Sequence, residues 1–239
     1  MLSRWIWNVN DRTQLNNALF QQMDHCVWEE QTPDNRLRRL VLLQPSITTT
    51  NHDTIQPGVI YFNWEDPVTN FEINDDGTVQ ESESIYKRTS QIPFWMSINQ
   101  KRIVFPNSSV PCGQAARLLQ QKFFGVEHEI FPVKFNIERI EDEWRNGLFC
   151  MWAYNFKDRQ GSVTKGSHFG DDIHTNDPIY QETVGTPKNF VGIKLQIFDQ
   201  EIKARINRSG VITLLGAQYV AGMDGELFRL IQSLSRYFV

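Results

Sequence analysis

The stretch FVGIKLQIFDQEIKARINRSGVITLLGA, residues 190–217, predicts three consecutive strands. Its apolar and polar residues alternate, as expected for strands with one buried face, and Gly210 supplies a tight turn. In EIKARIN, the isoleucines and the alanine fall on one face, whereas Lys203, Arg205 and Asn207 fall on the other. The stretch therefore predicts an antiparallel sheet with one core face and one basic face.

The strand that follows the turn, GVITLLG, divides in the same way. Alternation predicts that Ile212 and Leu214 face packed helices, whereas Val211, Thr213 and Leu215 face outward. An exposed row of such apolar residues is unusual for a folded protein unless a partner covers it. The outward face is therefore a candidate binding surface.

The motif Ile-Asn-x-x-Gly occurs twice in the chain, in EINDDG and in RINRSG. Asn74 and Asn207 are 133 residues apart, and Gly77 and Gly210 show the same offset. The order strand, helix, strands, helix also occurs in both halves of the chain. Together these patterns predict an internal duplication.

The expected halves are residues 1–125 and 126–239. The remaining elements follow from local patterns. We expect strands at 58–64 and 69–74 with a turn between them, a strand at 129–140, helices at 113–124 and 224–238, and a polar insertion outside the core at 157–188.

Composition limits the classes of function. The formal net charge of −4 argues against a strongly basic nucleic-acid-binding protein but leaves room for a local basic face. The sequence contains no run of 18 apolar residues, so it predicts no membrane span. Its N-terminal residues do not have the pattern of a signal peptide. The three scattered cysteines predict a reducing, intracellular location rather than a disulfide framework.

From Phe190 to Ala217 the sequence resembles, without a gap, the second repeat of the TATA-box-binding protein family. The matching positions are Phe190 and Gly192 at the opening, Ser209 and Gly210 at the turn, and Ile212, Leu214, Gly216 and Ala217 at the exit. Pro57 to Gly77 resembles the first repeat more loosely. The strands around Asn8 and Asn136 resemble the strand that opens each repeat.

The resemblance implies an α+β saddle in which two pseudo-symmetric repeats form one curved antiparallel sheet, with helices on its convex face. In the family the concave face enters the minor groove of A/T-rich double-stranded DNA. The implied DNA-binding residues are Asn8, Pro57, Asn74, Asn136, Phe190, Lys194, Lys203, Arg205, Asn207, Val211, Thr213 and Leu215. Of four positions that hold wedge phenylalanines in the family, Phe190 keeps the aromatic ring, and Pro57, Asn74 and Asn207 occupy the others. Asn74 and Asn207 also suit simple turns.

The implied function is that of a transcription initiation factor, with transcription factors or RNA polymerase subunits docked on the convex helices. Such a role predicts a nuclear location or a viral replication site, no catalysis, no cofactor and no membrane. Two alternatives stay open. One is a structural or interaction protein that kept the fold and lost DNA binding. The other is a metal-dependent enzyme that uses His168, Asp171, Asp172 and His174.

Overall fold

The computed structural model of the chain describes residues 2–10, 15–31, 36–45, 47–48, 53–124, 130–161, 163–197, 200–216 and 223–239. Within these residues, thirteen strands form one antiparallel sheet and five α-helices pack against it. The strands are β1 Leu2–Val9, β2 Cys26–Gln31, β3 Arg36–Leu43, β4 Ile47–Thr48, β5 Thr54–Ile73, β6 Val79–Ser97, β7 Arg102–Phe105, β8 Ile130–Pro132, β9 Met151–Phe156, β10 Gly166–Ile173, β11 Phe190–Ile197, β12 Gln200–Asn207 and β13 Val211–Leu215. The helices are α1 Asn17–Met23, α2 Val110–Leu119, α3 Ile137–Arg145, α4 Pro178–Thr183 and α5 Met223–Leu234. The α+β class is thereby confirmed.

Strand β1 is the centre of the sheet. It pairs with β13 and then the short β8 along one side, and with β7 along the other. The order across the sheet is β10-β9-β11-β12-β13-β1-β7-β6-β5-β3-β2. The N-terminal strand thus joins strands from both halves of the chain into one sheet.

Two hydrophobic cores lie on opposite faces of this sheet. Ile6 packs in the core that contains residues of α3, α4 and α5, whereas the next residue, Trp7, packs in the core that contains residues of α1 and α2. Successive side chains of a strand point to opposite faces, so the two groups of helices lie on opposite sides. We call the side with α3, α4 and α5 face A and the side with α1 and α2 face B.

The expectation that all helices lie on one convex face is therefore wrong. Strands β7 and β13 both run antiparallel to β1, so they run parallel to each other. A half-turn about the long axis of β1 places β7 where β13 lies, and it also turns the sheet over so that its two faces are exchanged. Helices that follow them, α2 and α5, accordingly pack on opposite faces.

The two Ile-Asn-x-x-Gly motifs do not occupy matching places. Gly77 lies in the turn between β5 and β6, whereas Gly210 lies between β12 and β13. In the first half, the turn at Gly77 is followed by two strands, β6 and β7, before helix α2. In the second half, the turn at Gly210 is followed by one strand, β13, before helix α5. The agreement of the 133-residue offsets therefore reflects similar turn chemistry, since both glycines have positive φ.

The segment after Pro57 is one strand rather than two. Pro67 lies inside β5 and pairs with Ile85 of β6, so the expected turn at residues 65–67 is absent. Proline is tolerated there because no described strand pairs with the other side of β5 at this point. The β5–β6 pair continues past the sheet from Trp64 opposite Arg88 to Ile73 opposite Val79. We call residues 64–88 the ribbon arm.

The expected strand at 129–140 is only partly correct, because β8 ends at Pro132 and α3 begins at Ile137. Asn136 begins the helix: its side-chain oxygen accepts a hydrogen bond from the backbone N–H of Arg139 at 3.0 Å. The alternating pattern of FNIERI therefore comes from the start of a helix and not from a strand. The apolar residues Ile140 and Trp144, four positions apart, have helical spacing.

Residues 157–188 are not an insertion outside the core, which corrects the sequence-based expectation. They contain β10, at the edge of the sheet, and α4, whose Tyr180 is buried in the face A core. Lys188 is 1% exposed, and its Nζ lies 3.0 Å from Oε1 of Glu141, which is also buried. The Tyr180 hydroxyl donates to the same carboxylate oxygen at 2.7 Å. Burial, together with this bond to Glu141, raises the pKa of Tyr180.

Candidate nucleic-acid interface

The candidate interface is face B of strands β9 to β13. Register places Lys194 opposite Lys203 and Gly192 opposite Arg205, so the three cations lie on the same side of β11 and β12. Neither described core includes these residues, and the helices of face B pack over the other half of the sheet. We call Phe190, Lys194, Lys203, Arg205, Asn207 and Leu215 the basic face.

Two of the three cations of the basic face form ion pairs with carboxylates at the surface. Lys203 Nζ lies 3.0 Å from Asp171 Oδ1, and Lys194 Nζ lies 3.3 Å from Glu201 Oε1. The hydrogen bond and the charge of Lys203 lower the pKa of Asp171, and the hydrogen bond with Glu201 raises the pKa of Lys194. Exposed ion pairs contribute at most about 1 kcal/mol, so a phosphate can replace either carboxylate at small cost.

The placement of the two lysines has an energetic cost to the sheet. Like charges directly opposite each other on an antiparallel pair are destabilising. Lys194 and Lys203 are such a pair, and two carboxylates outside the pair reduce the repulsion. An arrangement that stability alone does not favour is consistent with anion binding.

Aromatic rings are interleaved with the cations. The Arg205 guanidinium lies 5.4 Å from the centre of the half-buried Phe190 ring, and Lys203 Nζ lies 5.6 Å from the Trp152 ring. Trp152 contacts Phe169, whose side chain is 61% exposed. Gly192 makes room for Trp152, because a Cβ at that glycine would lie 2.6 Å from the indole ring. Trp152 itself is only 7% exposed, so the half-buried Phe190 and the exposed Phe169 are the rings on which bases can stack.

Two outward-facing residues are in fact buried. Thr213 is 1% exposed, and its hydroxyl lies 2.8 Å from the Ser3 hydroxyl; Val211 is 5% exposed and pairs with Trp5. Both lie on the face predicted from alternation, but contacts with β1 cover them. The prediction that Val211 and Thr213 are exposed is therefore wrong, whereas Leu215, at the end of β13, stays partly exposed.

The other four predicted residues lie away from the basic face. Asn136 is the N-cap of α3, and Asn74 hydrogen-bonds to Thr78 in the turn of the ribbon arm. Pro57 is buried in β5, and Asn8 shares face A with Ile6. The structure therefore brings together six of the twelve predicted residues and assigns turn or capping roles to two others.

Sequence reasoning missed Trp152 and Phe169. Trp152 lies in a stretch whose pattern fits helix and strand equally, and a bulge in the β9–β11 pairing places it beside Gly192. Phe169 lies in a polar segment rich in glycine. Phe169 is an isolated aromatic residue within a polar stretch, and this local signal indicates that its ring packs against a neighbour.

The four candidate metal ligands at 168–174 do not converge. His168 lies beside Tyr154 and Asp177, whereas Asp171 pairs with Lys203. Within the described ranges, no group of three or more His, Cys, Asp or Glu side chains is placed to hold a metal ion. The same ranges contain no helix with the length and apolar character needed to cross a membrane.

No protein-family model matches the chain, and no curated protein matches its sequence.

Proposed function

We propose that the protein binds DNA through the basic face. The observation that carries this proposal is the grouping of Lys194, Lys203 and Arg205, with Phe190, on a part of the sheet that the described helices leave uncovered. Cations hold phosphates without reading sequence, and ring faces stack on bases or wedge between base steps.

The resemblance to the TATA-box-binding protein family adds a narrower proposal, in which the target is A/T-rich duplex DNA and the role is transcription initiation. Because α3 and α5 lie on face A, they would stay accessible when DNA covers the basic face. They are the proposed docking site for transcription factors or polymerase subunits. Helix α2, on face B, would not belong to that surface. The role would place the protein in the nucleus or at a viral replication site.

A second candidate is an interaction protein that does not bind DNA. The ion pairs Lys194–Glu201 and Lys203–Asp171 favour it, because each cation of these pairs already has a partner. The net charge of −4 favours it as well. A DNA titration separates the two candidates.

We expect that replacing Lys203 and Arg205 with Ala weakens DNA binding for all duplex sequences. Each lost phosphate contact lowers the log–log salt slope by roughly one. Two lost contacts therefore make the difference in affinity between parent and variant about tenfold larger at 50 mM than at 200 mM salt. The measurement is a fluorescence-anisotropy titration with A/T-rich and G/C-rich duplexes and a single strand.

Arg139→Ala/Arg145→Ala is the matched control, because it removes two positive charges from α3 on the opposite side of the sheet. If both double variants weaken DNA binding equally, the loss depends on the net charge of the protein and not on the basic face. Absence of binding by the parent protein at 50 mM salt would favour the second candidate.

A further inference from the structure

The described side chains of the ribbon arm are exposed from Pro67 to Arg88. Its two strands extend ten residue pairs beyond the sheet, about 33 Å. An isolated two-stranded ribbon is marginally stable in water. A ribbon of this length is therefore a candidate for stabilisation by a partner.

One face of the arm carries an apolar stripe. Cross-strand register places Ile73 opposite Val79, Phe71 opposite Glu81, and Pro67 opposite Ile85, all on the same face. The large apolar members are 61–75% exposed: Phe71, Ile73, Val79 and Ile85. The opposite face is more polar, and its exposed apolar residues are Val68 and Tyr86. A continuous apolar stripe of this kind is typical of a surface that a partner covers.

The arm is also strongly acidic. Residues 64–88 contain seven acidic and two basic residues, a formal charge of −5, whereas the whole chain carries −4. Glu81 and Glu83 lie on the apolar face of β6, between Val79 and Ile85, and both are exposed. Neither has an ion-pair partner among the described residues, unlike Asp66, which pairs with Arg88 at 3.2 Å.

The outer edge of β6 is open next to these carboxylates. Strand β7 pairs with β6 only over Trp95 to Ser97, so β6 from Val79 to Phe94 has a free hydrogen-bonding edge within the described sheet. A free edge accepts an added strand, whose side chains then lie beside those of the edge strand. On the apolar face, the neighbours of such a strand would be, in order, Val79, Glu81, Glu83 and Ile85.

We propose that the edge of β6 on the ribbon arm receives an extended segment of a partner protein, with two cationic residues flanked by apolar residues at alternate positions. The cations pair with Glu81 and Glu83, and the apolar residues extend the stripe over Phe71 and Ile85. The other side of the segment is neutral, because β6 presents Gln80, Ser82 and Ser84 there. Nucleic acid does not fit this site, since its phosphates would meet a net charge of −5.

A labelled peptide with this pattern, Val-Thr-Lys-Thr-Lys-Thr-Val, tests the proposal by fluorescence anisotropy with the 239-residue chain. We expect Glu81→Gln/Glu83→Gln to weaken binding about tenfold, because two cross-strand ion pairs are lost. Glu72→Gln/Asp75→Asn removes the same charge from the polar face and the tip, and should change binding less than about twofold. A peptide with Glu in place of Lys should not bind.

A second pair of variants separates the contribution of the apolar stripe to peptide binding from that of the charges. Phe71→Ser/Ile85→Ser should weaken binding, whereas Val68→Ser/Tyr86→Ser, on the opposite face, should not. Equal loss in both charge variants, or equal binding of the Glu peptide, would overturn the proposal. So would a dimer of the free protein, seen by sedimentation, that Phe71→Ser/Ile85→Ser dissociates, because the occupant would then be a second copy. Failure of the Lys peptide to bind would overturn it too, and the carboxylates would then be charges that protect an open edge from strand pairing.

Discussion

Glu141→Ala is expected to lower the free energy of unfolding by about 3–5 kcal/mol, because it leaves the Lys188 ammonium buried without its counter-ion. Lys188 is 1% exposed, and two backbone carbonyls, of Thr183 and Thr186, are its other hydrogen-bond acceptors. Carbonyl dipoles do not replace a carboxylate. For a chain of this size the loss corresponds to a decrease in Tm of about 6–20 °C. Urea denaturation followed by circular dichroism measures it.

Two controls define what this result would mean. Asp142→Ala breaks the exposed pair with Arg145 on the same helix and should cost less than about 1 kcal/mol. Replacing both members of the buried pair, Glu141→Leu with Lys188→Met, should recover part of the stability, because no unpaired charge remains and only the Tyr180 hydroxyl loses its acceptor. A Glu141→Ala protein as stable as the Asp142→Ala protein would contradict the packing of residues 157–188 into the core.

Gly210→Ala is expected to destabilise the protein by about 3 kcal/mol, since strain and a steric clash act together. The glycine has φ of +84°, and a Cβ would lie 2.2 Å from the carbonyl oxygen of Val133. The Gly210 carbonyl also accepts a hydrogen bond from Ile6 at 3.0 Å, so the backbone cannot move without disturbing β1.

Gly77→Ala is the matched control for backbone strain. Gly77 has a similar φ of +80°, but an added Cβ there meets nothing within 4 Å. Strain alone costs roughly 1–2 kcal/mol. If chemical denaturation shows equal losses for the two variants, Gly210 does not lie against the Val133 carbonyl as the structure places it.

The sequence was sufficient to predict strands β11 to β13 and the final helix, because their apolar periods are regular and local. It was not sufficient to predict the faces of the helices. That arrangement depends on β1 pairing with β7 and β13 at once, which no local pattern reports. The long β5 was missed because Pro67 normally ends a strand, and only the absence of a second neighbour permits it.

For the candidate site, the sequence predicted which face of the sheet each residue lies on, but not which residues are exposed. Alternation correctly places Lys203, Arg205 and Leu215 on one face, since a strand has a period of two. Exposure on that face depends on distant residues. Thr213 is covered through contact with Ser3, which is 210 positions earlier in the chain, and sequence pattern carries no such information.

Leu215→Glu tests DNA binding by the basic face most directly, with Leu215→Gln as its neutral control. Register places residue 215 opposite Lys203, so a carboxylate there would compete with phosphate for that cation and repel the DNA. Leu215 is only partly buried, so both variants should melt near the parent temperature. The measurement is the Kd for a labelled A/T-rich duplex at 50 mM salt. The account predicts at least about tenfold weaker binding for Leu215→Glu and less than about threefold for Leu215→Gln. A folded Leu215→Glu protein that binds the duplex as tightly as the parent would contradict it.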